Sequence, residues 1–583
     1  MKLPGAPSLD WSIGQAEHYG IEQQKAVAAG RWPRVRRLML ACFLLVSVGE
    51  LPRQARAQVL TSQYDNSRTG SNQRETVLTP RNVNANQFGK LFSMPVDGSI
   101  YAQPLYAPRI EIPGKGVHNI VFVATEHDSV YAFDADGRST EPLWKVSFLD
   151  RQRGVTSIPA RDVDCPFIEP EIGITSTPVI DLHSGTLYVL ARTKEKAGML
   201  STRYVQRLHA LALTTGAEKF GGPVEIKASV SGSGAGSSNG RIDFEPLREN
   251  PRAALLLAND KVYLTWASSC DVGPYHGWVM AYDARTLAQV AAFNASPDAD
   301  DSGIWAGDTG PAADAEGNVF VATGNGKFDT ASGGRDYGDS MLKLGLTGRQ
   351  LLVRDYFTPF NQQELDAEDK DLGSGGPLLL PDQPGSHPHL LVVTGKGGLI
   401  YLLDRDHLGG YHTRSDSQIV QTLPGGPDEN FGAAAYWNGH VYFIFTGEVP
   451  KDFILSRGRL SNEPARGSRR FLDPGATPTV SANGSKDGIV WALTSKRWNQ
   501  PDGPAAVLYA FDASNIAREL YSSEMNASRD RAGVGLRFNI PTVANGRVYV
   551  GAKGELDVYG LLSAPGKASA GRRRHIGAKA AIH

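Results

Sequence analysis

Cysteine is scarce in this sequence, and neither sign of charge is in excess. The chain has three cysteines in 583 residues, Cys42, Cys165 and Cys270. It contains no Cys-x-x-Cys-His segment, so the usual signature of a covalently attached haem is missing. Lysine and arginine number 60 and aspartate and glutamate 61, which gives a formal net charge of -1. A balance this even provides no chain-wide field for nucleic acid, so we predict no nucleic-acid partner.

Long hydrophobic runs are scarce as well. The one long apolar run, residues 38–48, follows three arginines and is short of the roughly 20 residues that span a bilayer. Ala55 to Ala57 then provide the small-x-small pattern of a signal-peptide cleavage site. We therefore predict an N-terminal extension and signal peptide over residues 1–57, cleavage before Gln58, and a periplasmic or secreted protein. No stable membrane span is expected after cleavage, and an amphipathic membrane anchor is the alternative.

Removal of this segment would leave Cys165 and Cys270 in an oxidising compartment. The residues alone leave two alternatives open, a disulfide between them or free buried thiols.

Helical periodicity of useful length is also missing, and short repeated strands take its place. Each copy has short runs rich in valine and tyrosine, bounded by glycine, asparagine and aspartate, which is typical of buried strands. The runs lie at 120–125 with 130–135, 186–191 with 208–213, 261–266 with 279–284, 318–323 with 340–344, 390–394 with 399–404, 439–444, 489–493 with 507–512, and 546–551 with 556–559.

A single repeat cannot bury both faces of its sheet, whereas neighbours stacked around a ring can, and ring closure protects the strand edges. The pattern predicts an all-β protein with a single closed β-propeller over residues 58–562. We expect eight four-stranded blades, with seven as the alternative. Residues 563–583, which include three consecutive arginines, are predicted to form a disordered basic tail.

Three segments between the strands concentrate polar residues. They are Ile-Trp-Ala-Gly-Asp-Thr-Gly-Pro-Ala-Ala-Asp at 304–314 with Val-Ala-Thr-Gly-Asn-Gly at 321–326, Ser-Ser-Cys-Asp-Val-Gly-Pro-Tyr-His-Gly-Trp at 268–278, and Asp-Lys-Asp-Leu-Gly-Ser-Gly-Gly-Pro at 369–377. With the blade repeats, they resemble the quinoprotein alcohol dehydrogenase family over residues 59–562. The chain is most similar to the bacterial secreted proteins with pyrroloquinoline-quinone (PQQ) repeats. That family is an eight-bladed propeller that holds PQQ and calcium on its axis.

The resemblance implies a metal site and a cofactor floor. Asn325, in the Thr-Gly-Asn segment, would donate an amide oxygen to calcium, which prefers hard oxygen ligands. Asp271 lies one residue away from the position of the family's glutamate ligand and would be the second ligand. Trp305 would form the floor under the quinone. The alternative for Gly324 to Gly326 is an ordinary turn.

The resemblance also implies a base and a cation. Asp371 is the first candidate for the catalytic base that takes the substrate's hydroxyl proton, and Asp369 is the second. Lys396 matches a basic residue that contacts the quinone oxygens. An exposed acidic loop and an isolated surface lysine are the alternatives. We expect Asp271, Asn325 and Asp371 to converge at the mouth of the axial channel, with Lys396 opposite them.

The cover of the quinone is expected to differ from that of many relatives, which have two adjacent bonded cysteines above PQQ. Only Cys165 lies in the corresponding connection. A pair formed by Cys165 and Cys270 would cover the cofactor in a different way.

These residues predict a PQQ- and calcium-dependent dehydrogenase that oxidises an alcohol, sugar or polymer hydroxyl and passes electrons to a separate acceptor. The alternative is a non-catalytic propeller that binds protein or cell-envelope partners. A glycan-binding or hydrolytic propeller is a third hypothesis.

Overall fold

Antiparallel strands of two to twelve residues form most of the regular structure. The computed structural model describes residues 57–198, 201–427, 429–495 and 503–563. The predicted signal peptide, except for Ala57, and the basic tail, except for Ser563, lie outside the described residues. The described residues belong to one unit. No helix in this part of the chain has the length and apolar character needed to cross a membrane.

Eight sheets repeat along the chain, and we number them as blades 1 to 8. Blade 1 contains Leu105–Ile112, Gly116–Ala124, Ser129–Asp134 and Trp144–Ser147. Blade 2 contains Val179–Asp181, Thr186–Lys196, Thr202–Ala212 and Val224–Glu225. Val155–Thr156 also pairs with Thr186–Lys196. Blade 3 contains Leu256–Ala258, Lys261–Trp266, Trp278–Asp283 and Gln289–Asn294. Blade 4 contains Ala312–Ala313, Val319–Ala322, Met341–Thr347, Gln350–Thr358 and Gly410–Tyr411.

The second half of the ring repeats the pattern. Blade 5 contains Leu378–Leu379, Leu390–Thr394, Leu399–Asp404 and Gln421–Pro424. Blade 6 contains Ala435–Trp437, His440–Phe443, Lys451–Ser456, Arg459–Leu460 and Ala465–Arg466. Blade 7 contains Thr479–Asn483, Lys486–Thr494, Val507–Asp512 and Asn515–Ser522, with Ser71–Asn72 parallel to the first. Blade 8 contains Thr542–Ala544, Arg547–Gly551, Lys553–Leu561 and, from the other end of the chain, Phe88–Ser99.

The eight-bladed all-β propeller is therefore confirmed, and seven blades is wrong. Ring closure is non-covalent, because Phe88–Ser99 supplies the outer strand of blade 8 by antiparallel pairing with Lys553–Leu561. Outside the blades, Ile158–Pro159 pairs with Glu171–Ile172, and Ser229–Ser231 pairs with Arg241–Asp243. Helices are few and short: Ala160–Asp162, Ala306–Asp308, Thr330–Ser332, Gln362–Ala367, Leu372–Ser374 and Ala527–Asp530.

Apolar side chains pack between neighbouring blades rather than within one centre. One cluster joins Tyr549 and Val558 of blade 8 to Val130 of blade 1 and Val189 of blade 2, all nearly fully buried. Another joins Tyr188 of blade 2 to residues of blade 3. Burial of such surface contributes roughly 25 cal/mol per Å². This arrangement explains why each repeat needs its neighbours.

Residues 59–72, which we call the axial segment, join all eight blades. The first strands of neighbouring blades contact one another, which places those strands around the axis. The axial segment hydrogen-bonds to each of them or to the residue beside it. The contacts are Val59 to Tyr106, Leu60 to Ile180, Asn66 to Leu257 and to Ala313, Ser67 to Leu379, Thr69 to Tyr436, Gly70 to Val480 and Tyr64 to Val543. The sequence analysis did not anticipate this segment.

Candidate functional site

A cavity of about 370 Å³ lies where the inter-blade connections meet around the axis. Its volume is within the roughly 300–1,000 Å³ of small-molecule sites. Seven of the eight predicted site residues line it: Cys165, Cys270, Asp271, Trp305, Asp369, Asp371 and Lys396. Asn325 is hydrogen-bonded to two of them, Asp369 and Asp371. The structure thus brings together residues that are far apart in sequence.

Lys396 and two aspartates form the polar centre of the cavity. Lys396 Nζ lies 2.6 Å from Asp371 Oδ2 and 2.8 Å from Asp369 Oδ1. The expectation that Lys396 lies opposite Asp371 is therefore wrong. The turn after Leu390–Thr394 packs directly on Asp371, and Lys396 N donates to Asp371 O at 3.0 Å. Gly395 permits this approach, because a Cβ at that position would lie 2.2 Å from Asp371 O.

Asp371 and Asp369 differ in burial. The Asp371 side chain is 5% exposed, whereas that of Asp369 is 65% exposed. Burial raises the pKa of the Asp371 carboxyl above its ordinary value, although Lys396 and the Asn325 N–H lower it. Burial opposes the charged form of Lys396, but Asp371 and Asp369 outweigh it and raise the lysine's pKa. The geometry favours Asp371 over Asp369 as a base shielded from water.

The Thr-Gly-Asn segment supports Asp371. Asn325 N donates to Asp371 Oδ1 at 2.9 Å, and Asn325 Nδ2 donates to Asp369 Oδ1 at 2.7 Å. Gly324 allows the carboxylate to approach, because a Cβ there would lie 2.0 Å from Asp371 Oδ1. Asn325 Oδ1 is buried and has no hydrogen-bond donor. The segment therefore positions the candidate base.

Asp271 belongs to a second acidic group on the same cavity. Tyr275 Oη donates to Asp271 Oδ1 at 2.8 Å. Burial raises the pKa of Asp271. Burial, together with Asp300, Asp271 and Asp366, raises the pKa of Asp301 to about 7. No sequence motif singled out Asp301 or Tyr275. Their proximity to Asp271 arises from the packing of connections in blades 3 and 4.

Backbone strain accompanies this acidic group. Asp271 has φ of 53° and the preceding Cys270 has φ of 55°, while Asp301 and Ser302 have φ of 61° and 58°. Non-glycine residues in the left-handed region cost free energy, and such residues cluster at functional sites. His276, between these segments, is buried, and both its ring nitrogens have protein partners, the Ser296 and Ala235 carbonyls. His276 is therefore engaged in structural hydrogen bonds.

The described residues do not assemble a complete calcium site. Nowhere among them do three His, Cys, Asp or Glu side chains form a group that could hold a metal ion. Asn325 Oδ1 is a free acceptor for a cation, but Asp371 is already paired with Lys396. The donor set therefore fits calcium only in part. The calcium roles of Asp271 and Asn325 stay predictions.

The disulfide alternative for the two downstream cysteines is confirmed. Cys165 and Cys270 are bonded, with their Cα atoms 5.6 Å apart. The bond ties the connection after blade 1 to an insertion in blade 3, and both residues line the cavity. Asp162, in the same connection, is held by Lys194 Nζ at 2.6 Å and Tyr204 Oη at 3.1 Å. A role for this disulfide in covering a cofactor stays a prediction.

Trp305 provides an aromatic wall. Its ring centroid lies 6.3 Å from that of Tyr275, at an interplanar angle of 68°. Its Nε1 is buried and has no hydrogen-bond acceptor. A buried N–H of this kind is costly unless something accepts from it. The indole is therefore suited to a bound molecule that carries an oxygen.

The sequence analysis missed the remaining wall of the cavity, which is cationic and aromatic. Arg252, Arg537, Phe167, Phe431 and Phe538 line it, together with Glu429. Arg252 and Arg537 occupy related places, each a few residues before the first strand of a blade. The segments at the first strands of blades 2 and 7 instead contain threonine, serine and proline, at 175–178 and 477–479. An alignment of the repeats would have made the arginines visible.

Comparison with solved structures finds dehydrogenases that are similar to this chain in fold. A quinohemoprotein alcohol dehydrogenase from Comamonas testosteroni matches with TM-score 0.54 and 16% identity, over 87% of this chain and 81% of the other. The eight-bladed propeller fold of this chain is similar to the fold of that enzyme. A europium-containing methanol dehydrogenase matches with TM-score 0.54 and 14% identity, over 87% and 98% of the two chains. A quinohemoprotein alcohol dehydrogenase from Pseudomonas putida HK5 matches with TM-score 0.53 and 15% identity, over 87% and 80%.

No protein-family model matches this chain, and no curated protein matches it. Identities of this size establish the fold and leave the chemistry to be argued from the site.

The cavity fits PQQ better than it fits calcium. A planar quinone needs flat walls and a polar centre. Trp305 and the Cys165–Cys270 disulfide line the cavity with Lys396. The unsatisfied Trp305 Nε1 is a donor that a quinone or substrate oxygen would satisfy. These features support the predicted cofactor-binding roles of all four residues, which stay predictions.

Proposed function

We propose that this protein is a periplasmic or secreted PQQ-dependent dehydrogenase that oxidises an alcohol, sugar or polymer hydroxyl. A separate protein or small molecule would accept the electrons. One observation carries the proposal. A single axial cavity of suitable size is lined by a buried aspartate that is paired with a lysine, by an indole and by a disulfide. A purely structural propeller has no need for this combination.

Asp371 is the base in this proposal. Its Oδ1 accepts the Asn325 N–H and its Oδ2 pairs with Lys396, so the carboxylate has one orientation towards the cavity. The carboxylate takes the hydroxyl proton of the substrate as the C–H bond breaks. When bound, PQQ supplies the acceptor for the hydride from the same carbon. Burial keeps competing water away from the carboxylate.

Lys396 has two roles in the proposal. Its positive charge lowers the pKa of the Asp371 carboxyl against the effect of burial, because an adjacent cation favours the charged form of a carboxyl group. Its ammonium group has three N–H donors and contacts two carboxylates, so one donor remains for an oxygen in the cavity. Asp369, which is largely exposed, contributes mainly to the orientation of Lys396 and Asn325.

Calcium is retained as a prediction that rests on resemblance. Asn325 Oδ1, which is buried and lacks a donor, supports it. No step in the proposed chemistry passes through a metal ion, since the described donors form only part of a calcium site.

The test is dye-linked oxidation of alcohols and sugars by the purified protein, with and without added PQQ. The proposal expects dye reduction that requires both PQQ and an alcohol. Turnover without PQQ would point to other chemistry. If PQQ-loaded protein oxidises none of a broad panel of alcohols, sugars and polymers, the non-catalytic scaffold becomes the better explanation.

A further inference from the structure

A second cavity, which we call the inter-blade cavity, has a volume of about 320 Å³ and lies between blades 1 and 2. It shares no lining residue with the axial cavity, and the proposed dehydrogenase chemistry uses none of its residues. Two paired strands of blade 2, Thr186–Lys196 and Thr202–Ala212, provide alternate side chains to it, since residues two apart in a strand lie on the same face. The lining residues are Phe148, Val155, Ala191, Thr193, Glu195, Arg207, His209 and Pro223.

His209 has one ring nitrogen engaged and one unengaged. The imidazole is almost fully buried and stacks on Phe148, with the ring centroids 3.7 Å apart. Its Nδ1 lies 2.5 Å from Glu218 Oε1, so the carboxylate accepts the Nδ1 proton. Burial lowers the pKa of His209, although Glu218 opposes this, so the ring is neutral near neutral pH. Its Nε2, which has no hydrogen-bond partner among the described residues, is then an acceptor on the cavity.

Arg207 supplies donors beside this acceptor. It lies two residues before His209 on the same face of the strand, and the small side chain of Ala191 is directly opposite it across the sheet. The guanidinium donates to both carboxylate oxygens of Glu195 and to Thr193 Oγ1. These are three hydrogen bonds from a group that has five N–H donors, so donors remain for a bound molecule.

The inter-blade cavity has no excess of positive charge. Glu195 pairs with Arg207 and with Arg203, and Arg203 also pairs with Glu225. An anion therefore gains little there over water. A cation would use the acceptor on His209 and leave the donors of Arg207 unused. A hydroxyl group both donates and accepts, so it matches the two kinds of polar group together.

We propose that the inter-blade cavity binds a neutral molecule with neighbouring hydroxyl groups, of the size of a single sugar ring. One hydroxyl donates to His209 Nε2, and a neighbouring hydroxyl accepts from Arg207. The carbon frame packs on the apolar side chains of Phe148 and Val155. The volume of the cavity is at the lower end of the range for small-molecule sites. This site does not depend on the proposed dehydrogenase function.

The first measurement is saturation-transfer NMR on the purified protein with myo-inositol, methyl β-D-glucopyranoside and D-xylose. At least one of the three should bind with a dissociation constant of about 1 mM or lower, which is within the usual range for ligands of this size. Cyclohexanol has a similar frame and one hydroxyl group, so it should bind at least about tenfold more weakly. Glucuronate should bind no more tightly than the glucoside, because Glu195 balances Arg207. Binding of none of the three probes, equal binding of cyclohexanol, or tighter binding of glucuronate would overturn the proposal.

His209→Phe keeps a ring stacked on Phe148 but removes Nε2. Affinity for the bound probe should therefore fall by about tenfold or more. His440→Phe is the matched control, because His440 also pairs with a carboxylate, that of Asp452 at 2.9 Å, and stacks on Tyr442, but lines neither cavity. This control should bind the probe as wild type does. Equal affinity in wild type and His209→Phe would contradict the proposal.

Val155→Trp blocks the inter-blade cavity while it leaves the polar groups in place. Val155 is half-buried in the cavity wall, so an indole there fills part of the space and should weaken binding by about tenfold or more. Val117→Trp, at a valine that is exposed and lines neither cavity, should have no effect. Melting temperatures identify any variant that is unfolded. If His209→Phe is unfolded, Val155→Trp decides, and unchanged affinity in it overturns the proposal.

Asp371→Asn separates this site from the axial cavity, where the proposed function also places a sugar. A probe bound between the blades should keep its affinity in Asp371→Asn. Loss of binding in Asp371→Asn, with normal binding in His209→Phe, would place the probe in the axial cavity and overturn the proposal. These titrations contain no PQQ. Failure of PQQ uptake would therefore remove the proposed function and leave the inter-blade site in place.

Discussion

Asp371 Oδ2 lies 2.6 Å from Lys396 Nζ, and the two side chains are 5% and 12% exposed. Asp371 lies in the connection between Gln350–Thr358 of blade 4 and Leu378–Leu379 of blade 5, and Lys396 lies in a hairpin turn of blade 5. The pair lines a cavity that also has an indole and a disulfide in its walls. Both side chains are almost fully buried, so removal of one leaves the other buried without its partner. The effects on activity and on stability can be measured.

Asp371→Asn removes the proposed base with little change in shape. We expect PQQ-dependent turnover to fall by about 10²- to 10⁴-fold, the usual contribution of general base catalysis. PQQ affinity should change little, because the amide keeps the side chain's size. Asp369→Asn is the comparison, and its effect should be much smaller since Asp369 is largely exposed. An equal loss in both variants would remove Asp371 from its role.

Lys396→Met tests the electrostatics of the pair. Lys396 lowers the pKa of Asp371 against the effect of burial. Without it the carboxyl takes up its proton at higher pH, so the acidic limb of the kcat/KM profile should move to higher pH. Stability should also fall, by about 3–5 kcal/mol, because a buried charge loses its partner. Lys370→Met, which removes an exposed lysine paired with Glu368, should leave both the profile and the stability unchanged.

The disulfide should stabilise the rim of the cavity. It closes a loop of 105 residues, and a bond of this kind typically contributes about 2–4 kcal/mol. The double variant Cys165→Ser and Cys270→Ser should therefore unfold at lower temperature and lower denaturant concentration than wild type. Reduction of wild type should reproduce the loss and should have no further effect on the double variant. An unchanged midpoint in both experiments would contradict a stabilising role.

Arg68 should be essential to the axial segment. Its fully buried side chain donates to Thr61 Oγ1 and to the carbonyl oxygens of Ser62, Pro311 and Leu255, at 2.7 to 3.2 Å. Arg68→Met removes the Arg68 donor from each of these buried acceptors. An acceptor that finds no other donor and that water cannot reach lowers the free energy of unfolding by about 1–3 kcal/mol. We expect a loss of at least about 3 kcal/mol in unfolding experiments. Arg81→Met, at a side chain that is 86% exposed, should cost less than about 0.5 kcal/mol.

The propeller could be predicted from the sequence because its repeats are local. Each pair of short runs, such as those at 120–125 and 130–135, identifies a hairpin without knowledge of its neighbours. The axial segment could not be predicted, because its partners range from Tyr106 to Val543 and depend on closure of the ring. Its own residues carry no strand pattern.

The candidate site could be predicted from the sequence in part. Resemblance selected Asp371, Lys396 and Trp305, which line one cavity. It did not specify that Lys396 contacts Asp371 directly, because that distance depends on how the blade 5 turn packs. Arg252 and Arg537 were missed, since no single repeat shows that two arginines far apart in the sequence line one cavity.

The stoichiometry of PQQ uptake tests the central claim most directly. Purified protein is incubated with excess PQQ, with and without calcium, freed of unbound PQQ and measured by absorbance. We predict one PQQ per chain for wild type, and weaker calcium-dependent uptake for Asn325→Ala, whose buried amide oxygen would be lost. Failure of wild type to retain PQQ in the presence of calcium would contradict the account of this cavity as a quinone site.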